Sequence, residues 1–422
     1  MSKWIGMLVG AALLFGGMAQ KALAADPVIE MLQEKGVITA DEAQKLYDDK
    51  AKAEPVVLSN AFSKLTLKGR FFGGYYVSDE EKNAALAGKY GSTGSNKNFK
   101  DGSFEVPDGK IQFTWNPMER VSIVNRLSLS NAAVTIDYFY GQYNGIIPGD
   151  PKSRVRLGKM KVDFGEETFT DNPVENNAGL ISNSAAIVGG YDEGVELYGN
   201  FVPGVFGYTL SATNGASGTG TDLNTNKALA AKLFVQPTLN TPAAQIYFSG
   251  SYYTGDMAQT GASDFKIAGM TAAPAGTGTD GWNRSAWEVD AKSKFFRPDG
   301  KTEIARLAAS YGQFSDDLNK SSNPDREGSY YFLEAMYNFT PKIFAGARYS
   351  FAGLDNKYAD TMNGISNSNE YTRTSFGAGY RLNNLVTLKA EYSWNNTKRI
   401  DAGTNNKALS DNLFAIGLAA AF

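Results

Sequence analysis

From Phe62 onward one pattern repeats along this chain: short runs in which apolar residues alternate one for one with polar or charged residues. Leu65, Leu67, Gly69 and Phe71 share a face opposite Lys68 and Arg70; Ile111, Phe113 and Trp115 oppose Lys110, Gln112 and Thr114; Val121, Ile123, Leu127 and Leu129 oppose Ser122, Arg126 and Ser128. A period of two is the signature of a strand with one greasy and one wet face. Val134, Ile136, Tyr138 and Tyr140 make the apolar side of a fourth run, and 154–200 supplies a fifth and sixth. Ten more follow, at 206–212, 229–235, 246–252, 287–295, 305–311, 331–339, 343–351, 372–382, 386–394 and 414–422, about sixteen in all.

The wet phase carries many charges, among them Lys68, Arg70, Lys110, Arg126, Arg154, Arg156, Arg348 and Lys389, with Asp137, Glu196, Glu288, Glu334 and Glu391. The other phase is rich in aliphatic and aromatic residues, with aromatic pairs at strand ends such as Tyr392 and Trp394, or Tyr349 and Phe351. A charge on the lipid face of a membrane barrel costs about 2–4 kcal/mol at mid-depth. So many charges at one phase therefore require an aqueous interior. Beyond the N-terminal segment no apolar run reaches the length of a helical membrane span. The pattern predicts a transmembrane antiparallel β-barrel of about 16 strands; a secreted sandwich or solenoid leaves the aromatic strand ends unexplained.

Connection lengths give an independent test. Short turns at 116–117, 203–204, 237–242, 298–300, 340–341 and 383–384 contrast with long connections at 78–102, 165–191, 255–281, 354–370 and 396–409. From the sixth strand on, the two kinds alternate strictly, as in outer-membrane barrels with short periplasmic turns and long external loops. The connection at 130–133 is short where a long one is due, and 144–153 is longer than a turn needs. Even parity brings the last strand down to the periplasmic rim, where Phe422 joins an aromatic girdle; a terminal Phe also resembles the C-terminal signature of outer-membrane proteins, which implies recognition by the barrel-assembly machinery.

The first residues carry Lys3, an apolar run at 4–18 and Ala22-Leu23-Ala24, so 1–24 reads as a cleaved signal peptide. A helical pattern follows over 25–55, with Thr39 and Glu42 spaced as a capping box, and reads as a periplasmic helical segment that spaces, tethers or oligomerises. The barrel then occupies 56–422. Cys and His are both absent, which removes thiolate nucleophiles, disulfides, haem attachment, imidazole metal ligands and the Ser-His-Asp triad. The chain reads as no enzyme and as needing no cofactor. Its formal charge is -3, or about -5 once Lys3 and Lys21 leave with the signal, which argues against nucleic acid as a partner.

The stretch 154–200 stands apart: an amphipathic strand, a long acidic connection over 165–192, and a second strand. A connection this long without its own secondary structure is usually functional. It is expected to fold inward and narrow a pore, with Glu166, Glu167, Asp171, Glu175, Asp192 and Glu193 facing the basic wall residues. Opposed walls of this kind set up a transverse field whose balance of signs decides ion preference. The strand phase is ambiguous near Gly158: continued alternation sends Val162 and Phe164 inward and Lys159, Lys161 and Asp163 outward, unless a bulge shifts the register.

The run LGKMKVDFG at 157–165 and the run DEGVELYG at 192–199 resemble the strand ends that flank the third external loop in the phosphate-selective porin O and P family. The resemblance implies a sixteen-stranded, commonly trimeric outer-membrane porin whose third loop enters the lumen. Phosphate-specific members line that constriction with arginine and lysine, whereas this loop is acidic. The expected function is a water-filled channel for passive diffusion of ions and small hydrophilic solutes across a bacterial outer membrane, embedded in lipid as a homotrimer. A phosphate- or anion-selective porin, and a structural barrel sheathing a cytochrome, remain the alternatives.

Overall fold

The computed structural model describes residues 35, 39, 42, 56–58, 65–78, 102–129, 134–215, 226–239, 241–257, 266–268, 282–298, 300–317, 325–355, 360–362, 365–401, 404–410 and 412–422. Sixteen staves follow one another around a wall, each antiparallel to its neighbours. They are β1 (Leu65–Ser78), β2 (Ser103–Met118), β3 (Val121–Leu129), β4 (Val134–Asn144), β5 (Arg154–Lys161), β6 (Tyr191–Val202), β7 (Phe206–Thr213) and β8 (Ala228–Val235). The second half comprises β9 (Ala244–Met257), β10 (Trp282–Phe296), β11 (Glu303–Asp317), β12 (Arg326–Asn338), β13 (Ile343–Leu354), β14 (Ile365–Arg381), β15 (Val386–Asp401) and β16 (Leu413–Ala421).

The wall closes on itself. β16 pairs with β1 from Arg70↔Ala421 to Ser78↔Leu413. Gly69 N–H then donates to the Phe422 carbonyl at 2.8 Å and Phe422 N–H to that of Gly69 at 2.9 Å. Closure leaves no unpaired stave edge, and in lipid an unpaired edge would cost several kcal/mol per unsatisfied group. Short strands extend the wall: Val56–Leu58 on β1, Asp360–Met362 on β14 and Thr404–Ser410 on β15.

The two faces invert the arrangement of a soluble protein. Large apolar side chains stand exposed outside, among them Leu157 at 70%, Phe139, Leu229, Leu333 and Phe376. Arg284, Asp316, Arg326, Arg348, Glu334 and Glu391 are buried inside. Charges left without water gain most from a partner of opposite sign, and Asp316 takes two: Arg284 at 2.7 Å and Arg326 at 2.6 Å. Among the described residues no helix is long and apolar enough to cross a membrane.

All sixteen alternating runs of the sequence appear as staves. The fourth needs a correction. Tyr138 and Tyr140 were expected beside Val134 and Ile136 on the lipid face, but the β3–β4 pairing slips between Arg126 and Leu127. That bulge sends Asp137 and Tyr138 to the same side, and everything after it changes phase. Both tyrosines face the lumen, where Arg126 lies 3.7 Å over the Tyr138 ring and Arg156 5.0 Å over that of Tyr140. The long turn at 145–153 also finds its reason. Its Asp150 accepts hydrogen bonds from the Asn200 backbone at 2.7 Å and from the Asn200 amide, so the turn braces the neighbouring stave.

The expected short connection at 130–133 and the signal segment lie outside the described residues. So does most of the N-terminal helical segment. Its capping box is described: Thr39 N–H donates to Glu42 Oε2 at 2.8 Å and Glu42 N–H to Thr39 Oγ1 at 3.3 Å.

Candidate pore constriction

The segment between β5 and β6 runs inside the barrel. Within β5, Gly158 has a φ of +129° and so close an approach that a Cβ would stand only 2.3 Å from the Phe139 carbonyl oxygen. Beyond that glycine Lys161 is buried inside the barrel, contrary to simple alternation, and its Nζ reaches Asp171 at 3.0 Å and the Thr168 carbonyl. Val162 and Phe164 bury completely, packing in one cluster with Tyr253, Trp282, Phe314 and Tyr330 of the far wall and with Ala185, Ala186 and Val188 of the same segment. A strand Ile187–Gly189 pairs with Lys266–Ala268, and a single 3-10 turn, Glu167–Phe169, is its other regular element.

Polar contacts tie this strap to much of the wall. Gly165 N–H donates to Ser251 Oγ at 3.0 Å, Asn177 Nδ2 to Glu334 at 2.6 Å, and Ala185 N–H to Ser350 Oγ at 2.9 Å. Glu391 receives the backbone N–H groups of Ile181 at 2.5 Å and Ser182 at 2.9 Å. Arg348 donates to Ser182 O at 2.9 Å, Arg373 to Asn183 O at 2.9 Å, and Lys389 to Pro173 O at 2.5 Å. Lys232 of β8 donates to Gly165 O at 2.8 Å and Lys292 of β10 to Glu166 at 2.5 Å. The strap is thus seated on β8–β10 and β12–β15, and Ile181 with Val174 packs on Phe72 and Tyr76 of β1 and on Leu413 and Ala415 of β16.

This seating divides the charged residues expected to line a pore into two groups. Arg348 and Lys389 are buried behind the strap. They hold it in place; Arg348 also pairs with Glu334 at 2.6 Å and Glu167 at 3.4 Å. Glu167 is buried with them and accepts from Ser184 N–H at 2.8 Å; burial pushes its carboxyl above the usual range despite Arg348. Glu166 lies between Lys232 at 2.6 Å and Lys292 at 2.5 Å and accepts from the Tyr247 hydroxyl at 2.7 Å. Burial pulls its carboxyl up, yet the two ammonium groups outweigh that and bring it to about 2.

The second group lies on β1–β5 and on the strap beside them. Arg70 bridges Asp108 at 2.8 Å and Glu175 at 2.5 Å, Lys110 and Arg126 share Asp137 at 2.7 and 3.2 Å, and Lys161 holds Asp171. Glu175 is the more open of the two loop acids here, its side chain 54% exposed against 34% for Asp171. A cavity of about 120 Å³ lies among Arg70, Asp108, Lys110, Asp171, Asn183 and Tyr191. On the short-turn side a second, of about 320 Å³, is lined by Glu166, Glu175, Tyr247, Lys292, Lys294 and Arg306. Glu175 bonds to Arg70 of the first and lines the second, so it lies between the two cavities.

Two acids expected at the constriction stand elsewhere. Asp192 is buried and caps Gly215 N–H at 2.7 Å and Glu193 N–H at 2.8 Å. Glu193 falls on the face of Val195, opposite Lys159 in the β5–β6 register, and so points away from the lumen. Toward the short-turn rim Lys68 is exposed, while Arg154 and Arg156 share Glu196 at 3.9 and 3.1 Å. Lys161, Asp108 and Tyr191 belong to the constriction without being expected there. Alternation alone hides Lys161: the register puts it in the phase of outward-facing Lys159, yet at the end of its stave it is buried against Asp171.

No family model matches this sequence, and no curated protein does. Solved structures match in shape. The outer membrane channel DcaP of Acinetobacter baumannii aligns at TM-score 0.53 and 13% identity over 85% of this chain and 97% of its own. Pseudomonas putida OprB gives 0.52 and 10% over 85% and 94%, and an anion-selective porin from Comamonas acidovorans 0.51 and 13% over 85% and 99%. The fold is that of outer-membrane porins. Identities this low establish the barrel architecture alone, and the likeness to phosphate-selective porins stays with its two motifs.

Proposed function

We propose that this chain is an outer-membrane porin, a water-filled channel through which ions and small polar solutes diffuse passively. The inward-seated strap carries this reading. A barrel that served only as a wall or sheath would have no need to close most of its lumen with a segment tied to staves on both halves of the wall. Between the strap and β1–β5, bases and acids meet at hydrogen-bonding distance. In this reading residues 1–24 are removed on export, 25–55 lie in the periplasm, and Phe422 presents the seam to the assembly machinery. A homotrimer suits the broad apolar outer face; one similar barrel, the outer membrane protein OmpT of Vibrio cholerae, is described in a trimer form, at TM-score 0.50 and 12% identity over 85% of this chain and 99% of its own.

The constriction charges balance: Arg70, Lys110, Arg126 and Lys161 against Asp108, Asp137, Asp171 and Glu175. Selectivity then falls to the lumen beyond it, where Lys68, Arg154, Arg156, Lys292, Lys294 and Arg306 outnumber Glu166, Glu196 and Glu303. A mild preference for anions follows. Planar-bilayer recording of the refolded protein tests both statements. Discrete steps with a reversal potential displaced toward the anion are expected; a folded barrel that gives no steps would end the channel reading.

A further inference from the structure

Three aromatic rings lie side by side on the lumen wall toward the short-turn rim, the last of them, Tyr247, lining the same cavity as Glu175. Tyr198 of β6 and Phe234 of β8 have centroids 5.7 Å apart and planes within 19°; Phe234 and Tyr247 of β9 are 6.1 Å apart and within 17°. All three are partly exposed, and all occupy the inward phase of their staves. Phe234 spans the intervening stave because that stave presents Gly207: a Cβ there would stand 2.4 Å from the Phe234 ring. The glycine leaves room for the Phe234 ring, whose plane runs within 19° of that of Tyr198 and 17° of that of Tyr247.

Surplus positive charge flanks the strip at both ends. At one end Arg154 lies 4.1 Å over the Tyr198 ring, and its Nε makes no hydrogen bond among the described residues. Arg154 and Arg156 have one carboxylate between them, Glu196. At the other end Lys294 stands in register with Arg306 on β11, and the acid there, Glu303, is taken by Arg306. Lys294 is exposed and has no acidic partner within ion-pair distance among the described residues.

From this arrangement we infer that Arg154, Tyr198, Phe234, Tyr247 and Lys294 form a binding strip for a flat-ring solute bearing a carboxylate, such as an aromatic acid. The ring faces supply a sequence of equivalent apolar contacts along which such a solute slides, and the terminal cations attract and hold its carboxylate. A small inorganic anion uses the cations but not the rings; a neutral aromatic uses the rings but not the cations. Only a molecule with both uses the whole strip. The inference rests on the channel reading proposed above.

The test is blockade of single-channel chloride current by benzoate, acetate and benzyl alcohol added from each side in turn. Benzoate is expected to halve the current at a concentration about three- to tenfold lower than either of the others, the range an aromatic stacking contact spans. Phe234→Ala and the bulk-preserving Phe234→Leu are both expected to erase that advantage while leaving chloride conductance in place. Equal blockade by benzoate and acetate in the unmodified channel would overturn the inference and leave the channel standing. A benzoate advantage that survives in both variants would do the same. No chloride steps from the folded barrel would remove the channel reading, and this inference with it.

Discussion

Replacing Glu175 by Gln isolates one charge between the two cavities of the proposed constriction. The carboxylate is half exposed, lines the larger cavity and lies 2.5 Å from Arg70 of the smaller one. The substitution keeps the side chain's shape and leaves Arg70 its second partner, Asp108 at 2.8 Å, so the strap keeps its seat and the constriction gains one net positive charge. An ion passing about 5 Å away feels about 0.8 kcal/mol from a unit charge in water. A screening length of about 8 Å at physiological salt reduces this to about 0.4 kcal/mol. Cations lose and anions gain the same amount, so the permeability ratio moves by about 0.8 kcal/mol, about fourfold toward anions. At 1 M salt the screening length falls to about 3 Å and the change shrinks below about twofold.

The assay is the reversal potential across a salt gradient, repeated at both ionic strengths. Glu193→Gln is the control, since that carboxylate faces away from the lumen and is expected to leave the ratio unchanged. A shift in the control equal to that in Glu175→Gln would mean that distant charge, not the constriction, sets selectivity. No shift in Glu175→Gln at low salt would mean that ions pass elsewhere, and the placement of the constriction would be wrong.

Other consequences concern the strap and the wall. Arg348→Met strands the buried carboxylates of Glu334 and Glu167, a loss of about 3–5 kcal/mol when one partner of a buried pair goes; lower thermal stability and faster protease cleavage between 162 and 190 are expected, and an unchanged cleavage rate would show that Arg348 does not hold the strap. The two neighbouring strap acids respond differently to acid. Glu166, held at about 2, contributes stability that is full above its ordinary pKa of about 4.5 and is lost only as pH falls through about 2. Glu167, pushed up by burial, takes its proton earlier on the way down. Any change in conductance between pH 7 and 4 that comes from these two acids should therefore vanish in Glu167→Gln and persist in Glu166→Gln; the reverse pattern would refute the assignment. On the outer face, Leu157→Lys places a charge on the side exposed to lipid, at a cost of about 2–4 kcal/mol near mid-depth. A smaller fraction of heat-resistant folded barrel is expected on gels, against no change for a lysine at inward-facing Thr114, whose partners Thr66 and Val124 carry no charge.

The sixteen staves follow from alternation, because the two faces of each stave meet different solvents and each residue declares its face locally. The unusual length and acidity of 165–191 likewise mark the strap in the sequence itself. Alternation misleads where the phase of a stave turns on a single backbone event, the bulge that sends Tyr138 and Tyr140 inward, and at a stave end, where Lys161 turns in to Asp171. A residue's side after such a slip depends on its partner stave, and partners are not written in local order.

Charge content is also easier to read than charge position. Glu166, Glu167, Asp171 and Glu175 look equivalent in sequence, four acids on one polar loop. Tertiary structure buries Glu167 against Arg348, clamps Glu166 between two lysines, and leaves Glu175 half exposed. The strip of Tyr198, Phe234 and Tyr247 is likewise set by staves far apart in the chain and by a glycine on a third. Period and composition therefore determine that there is a barrel with a wet interior and a long inward segment. Where that segment sits, and which charges and rings water can still reach, are decided by contacts between residues up to 216 positions apart, whose pairing energies exist only once the wall has closed.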